Sequence, residues 1–255
     1  MSALRVVVSG ASSGIGAALA RLYAARGARL GLIARRRGML DALAAQLPGE
    51  SLVCDADVRD VRAMRQVAER FVSRFGGVDV VIGNAGVSAG TLTSHADDQP
   101  VFREIFDINV VGLFNTFQPF LPSMLAAGGG ALVGIASVAG FRGLPGASAY
   151  SASKAAAITY LESLRVELRG TGVDVLTICP GYIDTPMTAR NPYPMPFILP
   201  ADEAARRMLR AIDRRKAHSV VPWQMGVVGA LLKGLPRPFY DRLFARAPHK
   251  PRRGA

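Results

Sequence analysis

The sequence predicts an α/β protein, a doubly wound parallel sheet of about seven strands with helices on both faces. Three observations point there. Short runs that are apolar on both faces alternate with longer stretches of helical period along most of the chain. Hydrophobic residues make up 50% of the 255 residues, ample for a large core, yet no uncharged apolar run reaches the ~18 residues of a membrane span. A Gly-rich turn separates the first apolar run from the first helical stretch. Right-handed crossovers between parallel strands then put helices on both faces. No linker, repeat or composition break divides residues 1–255, so one domain is expected, with a basic carboxyl-terminal extension from about residue 223.

Residues 4–9 (LRVVVS) give the first strand, and 15–26 a helix closed by Gly27. A strand follows at 29–34, a short helix near 38–47, a strand at 51–55 and a helix at 60–75. Residues 78–83 (VDVVIG) give the fourth strand, and the apolar pattern predicts one long helix over 101–126. Then come a strand at 130–136, a helix at 148–169, a strand at 173–178, a helix at 201–215 and a last strand at 218–222. The stretch 223–246 mixes apolar and basic residues. Its break at Gly234–Pro238 argues against one continuous interfacial helix, and Trp223, Leu231, Leu232, Phe239, Tyr240, Leu243 and Phe244 argue that it packs on the protein.

The formal charge is +12, and residues 201–255 carry thirteen Lys/Arg against four Asp/Glu. Such a tail suits an anionic membrane, nucleic acid, an acidic ligand or simply a solvated basic surface. It lacks the interleaved aromatics of a nucleic-acid platform, so no nucleic-acid partner is expected. The amino terminus runs directly into an apolar strand without the pattern of a secretory leader, and a cytoplasmic protein is expected. Cys54 and Cys179 each sit in an apolar run and belong to no metal-type cluster, so they read as buried thiols and no metal is expected.

The turn after the first strand is Gly10-Ala11-Ser12-Ser13-Gly14-Ile15-Gly16, with a helix starting at once. Glycines allow a sharp turn and close approach of a ligand, and a helix amino terminus attracts phosphate. The spacing G-x-x-x-G-x-G differs from the commoner G-x-G-x-x-G fingerprint. The end of the second strand reads Ala34-Arg35-Arg36-Arg37, with no acidic residue. An acid there would take a ribose 2′-hydroxyl; arginines favour a 2′-phosphate, so NADP(H) is favoured over NAD(H).

Tyr150 and Lys154 lie four residues apart on a predicted helix, which puts their Cβ atoms about 5–6 Å apart on one face. A phenol with a pKa near ~10 is a poor base at neutral pH, and a nearby ammonium favours the phenolate. Such a pair suits proton transfer to a carbonyl oxygen or from an alcohol. Ser137, just past the preceding strand, is a candidate to hold the reacting oxygen. Asn84-Ala85-Gly86 ends the fourth strand at the ligand edge, and Asn109 lies inside the predicted 101–126 helix, where asparagine is a mediocre residue.

Together, in order, these pieces resemble the compact single-domain branch of the short-chain dehydrogenase/reductase family. The set comprises the glycine turn, Asp57-Val58, Gly83-Asn84-Ala85-Gly86, Asn109, Ser137, Tyr150, Lys154 and Pro180-Gly181-Tyr182-Ile183-Asp184-Thr185, from residue 9 to about 188. The resemblance implies a Rossmann-like fold and Tyr150 as acid/base. It implies that Lys154 lowers the Tyr150 pKa and holds the nicotinamide ribose, that Ser137 orients the substrate oxygen, and that Asn109 anchors a proton-relay water. Asp57 and Val58 would flank adenine, Asn84, Ala85 and Gly86 would line the cofactor channel, and Pro180, Gly181, Ile183 and Thr185 would bound the nicotinamide end. Two positions depart from the family pattern: Ser9 replaces the usual Thr, and Gly83 stands where Asn is frequent.

The implied activity is interconversion of a carbonyl and an alcohol. Segments 87–95, 138–147 and 187–199 would form the substrate pocket, and the apolar and aromatic residues of the last suggest a fairly hydrophobic ketone, aldehyde or secondary alcohol. The helices at 101–126 and 148–169 resemble the surfaces by which family members pair, so a homodimer or homotetramer is expected. Two other readings remain: a non-catalytic dinucleotide sensor, and a membrane-peripheral lipid-modifying reductase.

Overall fold

A computed structural model of the chain describes residues 3–189 and 191–253. Met1, Ser2, Arg190, Gly254 and Ala255 lie outside the described residues, so the 187–199 segment is described without Arg190.

The chain runs β1 (Arg5–Ser9), α1 (Gly14–Ala25), β2 (Arg29–Ala34), α2 (Arg37–Ala44), β3 (Ser51–Asp55), α3 (Val61–Phe75) and β4 (Val80–Gly83). It continues with α4 (Gln99–Phe106), α5 (Gly112–Phe117), α6 (Leu121–Ala127), β5 (Gly130–Ile135), α7 (Ser148–Glu167) and β6 (Val173–Pro180). The last part holds β7 (Ile183–Asp184), β8 (Leu199–Pro200), α8 (Ala201–Asp213), β9 (His218–Val221), α9 (Trp223–Gly234) and α10 (Arg237–Phe244). Among the described residues, seven strands form one sheet in the order β3-β2-β1-β4-β5-β6-β9. Every pairing is parallel, for example Val6 with Leu30 on one side and with Val80 on the other. This is the predicted doubly wound sheet.

Strand period 2 divides the core between two faces. Val6 and Val8 of β1 pack beneath α1 and α8, with Leu19, Tyr23, Met208 and Leu209. Val7 points the other way, into Phe71 of α3, Phe117 of α5 and Leu161 of α7. Local signals set several ends. Asp60 caps α3, its carboxylate accepting from the amides of Arg62 and Ala63 at 2.9 and 3.1 Å, a contact worth about 1 kcal/mol. Gly76, left-handed at φ 78°, stops the same helix.

The helix predicted over 101–126 is continuous to Phe117, with a π-type turn inside it, and is interrupted at 118–120. Pro100 opens α4, a single π-type turn occupies Asp107–Val111, and Pro122 opens α6 after a break at 118–120. Proline lacks the N–H that a continuous helix needs and is tolerated in a first turn, so Pro122 fixes a new start. The tail beyond 222 folds into two helices separated at Leu235–Pro236, within the break expected from the sequence. Met225, Gly229 and Tyr240 are buried there, so the tail packs on the protein. The β7–β8 pair was not anticipated.

Candidate active site

Strand order reverses between β1 and β4, since β2 and β3 lie on one side of β1 and the later strands on the other. A crevice opens past the carboxyl ends of strands at such a point. Here it is a groove of ≈ 320 Å³. Its floor is the glycine turn: Gly10, Ser12, Ser13, Gly14 and Ile15. Gly10 has φ 66°, and a Cβ there would lie 2.8 Å from Ala85 Cα. A Cβ on Gly16 would lie 2.3 Å from the Gly10 carbonyl oxygen, so Gly16 supports the turn from behind and does not face the groove.

Asn84 ties the turn to β4, its amide donating to the carbonyls of Ser9 and Gly10 at 3.1 and 3.2 Å. The Ser9 hydroxyl donates to the Ile82 carbonyl and accepts from the amides of Asn84 and Ala85. A serine therefore supplies the hydroxyl this junction uses. At Gly83 a Cβ would sit 2.3 Å from Leu113 Cδ1 and 3.2 Å from the Phe117 ring, so those side chains occupy the room a larger residue would need.

Along one wall of the groove lie Arg35, Arg36, Asp57 and Val58; along the other, Ala85, Gly86 and Thr185. Arg36 reaches across the turn and donates to the hydroxyls of Ser12 and Ser13 at 2.9 and 3.1 Å. Arg37 turns away to Asp41 and Asp55. Asp57 is held by Arg59 at 2.6 Å, with Arg35 at 3.9 Å. Those hydrogen bonds from Arg59 hold the Asp57 carboxyl below the ordinary carboxylate range despite partial burial. Thr185 closes over the turn, its Cγ2 3.1 Å from where a Gly14 Cβ would be. Pro180, Gly181 and Ile183 do not line the groove. Ile183 belongs to the core, and the Gly181 amide donates to Val221 in the sheet.

Beyond the end of β5, the Ser137 hydroxyl accepts from the Ala139 amide at 3.1 Å and donates to the Pro180 carbonyl at 3.4 Å. Tyr150 and Lys154 project from the first turns of α7 toward it. Lys154 is 5% exposed; its Nζ donates to the Ile135 carbonyl at 2.9 Å and lies 5.9 Å from the Tyr150 ring centroid. Burial pushes the Lys154 ammonium down to about 8. Burial also pushes the Tyr150 phenol up, opposed by its hydrogen bond with Ser137. The expected lowering of the phenol by Lys154 therefore does not emerge here. Desolvation dominates the phenol, and the ammonium's hydrogen bond goes to a carbonyl and not to the phenol.

Asn109 sits in the π-type turn, 2% exposed. Its side chain accepts from the Val87 amide at 2.9 Å and donates to the Val87 carbonyl and the Ser153 hydroxyl, both at 3.0 Å. A Cβ on Gly86 would find Asn109 Oδ1 at 3.2 Å and Lys154 Nζ at 3.5 Å, which puts both on one side of the β4 loop.

Tyr193 falls in the 187–199 segment expected at the substrate pocket, whereas the sequence did not place Cys179 or Lys250 beside this cluster. Cys179 lies beneath it, near the Lys154 charge, with its thiol pushed up to about 12 by burial and its Sγ 3.6 Å from His218 Nε2. Tyr193 is near enough to Tyr150 to feel its charge and packs edge-on against Tyr182. From the far end of the chain, Lys250 places Nζ 5.6 Å from the Tyr150 ring centroid. No local pattern in PHKPRR distinguishes that lysine from a solvated one.

The family model described as short chain dehydrogenase matches residues 5–194. A protein of Myxococcus xanthus (strain DK1622), described as an uncharacterized oxidoreductase, is 41% identical over 244 residues, 94% of this chain and 96% of its own. Among solved structures, a short chain dehydrogenase/reductase from Burkholderia phymatum in complex with NAD superposes with a TM-score of 0.82 at 26% identity, covering 98% of this chain and 97% of the other. A 3-ketoacyl-ACP reductase from Sinorhizobium meliloti 1021 gives 0.75 at 28% identity, covering 85% and 96%. With this sheet order and the glycine-floored groove at its switch point, these likenesses show that the chain belongs to the short-chain dehydrogenase/reductase family, oxidoreductases that act on CH–OH donors with NAD(P).

Proposed function

We propose that this chain interconverts an apolar ketone or aldehyde with its alcohol, using NADP(H) in preference to NAD(H). The observation that carries the reading is the gathering of Ser137, Tyr150 and Lys154 past the end of β5, next to the groove. The groove suits a dinucleotide: its floor is a turn where Cβ atoms would collide, followed at once by a helix amino terminus. Arg35 and Arg36, with no acid at the end of β2, suit a 2′-phosphate. Arg36 already spans two serine hydroxyls at the turn, as a fork poised for an anion does.

When bound, the dinucleotide supplies or accepts the hydride. Tyr150 gives its phenolic proton to the carbonyl oxygen in reduction and takes it back in oxidation. The Ser137 hydroxyl, close enough to the phenol to oppose its rise, holds that oxygen in line. Lys154 binds the nicotinamide ribose, and Asn109 anchors a water beside it. Thr185 bounds the nicotinamide end, Asp57 and Val58 the adenine end. Tyr182 and Tyr193 give the substrate side an aromatic wall.

Exposed Phe102, Val111, Phe114 and Val166 on α4, the π-type turn, α5 and α7 favour a homodimer or homotetramer. A cytoplasmic enzyme is the working picture; among the described residues no helix is long and apolar enough to cross a membrane. A second reading, attachment to an anionic bilayer surface, is favoured by exposed Trp223, Val227 and Leu231 at helical spacing on α9 and by Phe239 and Leu243 on α10. Failure of the chain to co-sediment with phosphatidylserine vesicles would dismiss it, and co-sedimentation that survives Trp223→Ser and Leu231→Ser together would take the contact away from α9.

The test of the main reading is NADPH oxidation against a panel of ketones and aldehydes. Tyr150→Phe should lower kcat/KM by about 10²-fold or more, the scale of general acid catalysis. Undiminished turnover in that variant refutes the assignment. Tight NADPH binding without turnover across the panel would instead support a dinucleotide sensor.

A further inference from the structure

We propose that the carboxyl-terminal segment around His249–Arg253 roofs the substrate cleft, and that the Lys250 ammonium binds a carboxylate carried by the substrate close to its reacting carbonyl. This deepens the carbonyl-reductase reading and rests on it. The substrate class it names is a 2-oxo or 3-oxo acid with an apolar body.

The segment is fastened at several points. On α10, the Tyr240 hydroxyl donates to the Gly143 carbonyl, and the Arg142 guanidinium lies 4.3 Å over the Tyr240 ring. Further on, the Gly90 amide donates to the Pro251 carbonyl at 2.9 Å, and Gly90 forms a parallel bridge with Arg252. Arg252 Nε donates to both carboxylate oxygens of Asp98 at 3.1 and 2.9 Å. Asp98 is 4% exposed, so this is a sheltered anchor. Arg253 pairs with Glu104.

Two glycines on the substrate loops make room for the segment. A Cβ on Gly90 would lie 2.1 Å from the Lys250 carbonyl oxygen, and one on Gly146 2.6 Å from His249 Cβ. Gly90 belongs to the loop after β4, Gly146 to the loop after β5. The tail thus crosses both walls of the cleft, and Lys250 falls between these crossings, over Tyr150.

Lys250 is half-buried, and among the described residues no carboxylate forms an ion pair with it. Burial alone pushes its ammonium down to about 8, so it remains mostly charged at neutral pH. A cation withdrawn from water without a counter-ion is unfavourable, and an incoming anion offsets that penalty. The reacting oxygen must reach Tyr150, and the anion must reach Nζ, 5.6 Å from the same ring. Only a short separation between carbonyl and carboxylate satisfies both.

Two measurements test this. The first compares kcat/KM, with NADPH, for 2-oxo- and 3-oxohexanoate and their methyl esters. The wild type should prefer the acids, and Lys250→Gln should collapse the acid-to-ester ratio by about tenfold to a hundredfold, the worth of a charge-assisted hydrogen bond. Lys250→Arg should restore most of the ratio. The second, independent of turnover, titrates hexanoate and hexanamide into NADP⁺-loaded protein by calorimetry. Hexanoate alone should weaken in Lys250→Gln. Equal hexanoate affinity in wild type and Lys250→Gln, or an acid-to-ester ratio unchanged by the substitution, overturns the proposal. So does a truncation after Ala247 that accelerates acids and esters alike, which would make the segment an autoinhibitory cover. Lys250-dependent hexanoate binding without turnover of any carbonyl would leave the anion site standing and remove the reductase reading instead.

Discussion

Lys154 donates from Nζ to the Ile135 carbonyl at 2.9 Å while the same ammonium lies 5.9 Å from the centre of the Tyr150 ring. One cation is thus fixed to the end of β5 and faces the phenol that follows that strand. Burial puts its pKa at about 8, so the charged form prevails at neutral pH and is lost as pH rises through that value. Reductive kcat/KM should therefore fall between about pH 8 and 9. Lys154→Arg, whose side chain stays charged to about pH 12 or beyond, should turn over more slowly but lose that limb. A pH–rate profile for Lys154→Arg that falls where the wild type does would assign the limb to another group.

Arg36 bridges Ser12 and Ser13 at the mouth of the groove, and Arg35 lies beside it. Replacing both by Gln should raise the Michaelis constant for NADPH by about tenfold to a hundredfold and leave that for NADH within a few-fold. Initial rates with the two cofactors side by side decide it. Equal changes for both would mean that these arginines serve the turn and not a 2′-phosphate.

How far the sequence reached follows from which interactions are local. The strands were legible because each is a short apolar run bounded by turn residues, and the glycine turn because its backbone demands are written as glycines. The π-type turn at Asp107–Val111 was not, since Asn109 there grips Val87 and Ser153, partners 22 and 44 residues away. The spacing of Tyr150 and Lys154 was plain, but their ionisation was not. It turns on desolvation, which only the packed structure defines. Lys250 was invisible for the same reason: its meaning comes from Gly90 and Gly146, more than a hundred residues upstream.

Gly83 shows what packing adds to a family pattern. Leu113 and Phe117 fill the space over it, with Leu113 Cδ1 2.3 Å from a would-be Cβ. Gly83→Ala should destabilise the fold by about 1–3 kcal/mol, the range for overpacking. Leu113→Ala in the same chain should recover part of that loss, because the clashing methyl is gone. Urea unfolding of the four chains of this cycle gives the coupling. Strict additivity would show that the strain at Gly83 comes from elsewhere.

The Asp98–Arg252 pair should control how firmly the tail covers the cleft. Asp98 also accepts from the Leu92 amide at 2.7 Å, so it joins the loop after β4 to the tail. Hydrogen bonds from Arg252 hold its carboxyl below the ordinary carboxylate range. A depressed carboxylate contributes its stabilisation above the unfolded-state pKa and loses it as pH falls through the folded-state value. The tail should therefore stay closed from neutral pH down to about pH 4 and open only in stronger acid. At pH 7, Asp98→Asn and Arg252→Gln should each loosen the chain around the exposed Arg246, speeding tryptic cleavage of the Arg246–Ala247 bond by about tenfold or more, since cleavage tracks the open population. The double variant should be cut no faster than the faster single, because each substitution removes the same contact. Cleavage at the wild-type rate in both singles would show that the tail is held by Tyr240 and the Gly90 amide without this ion pair.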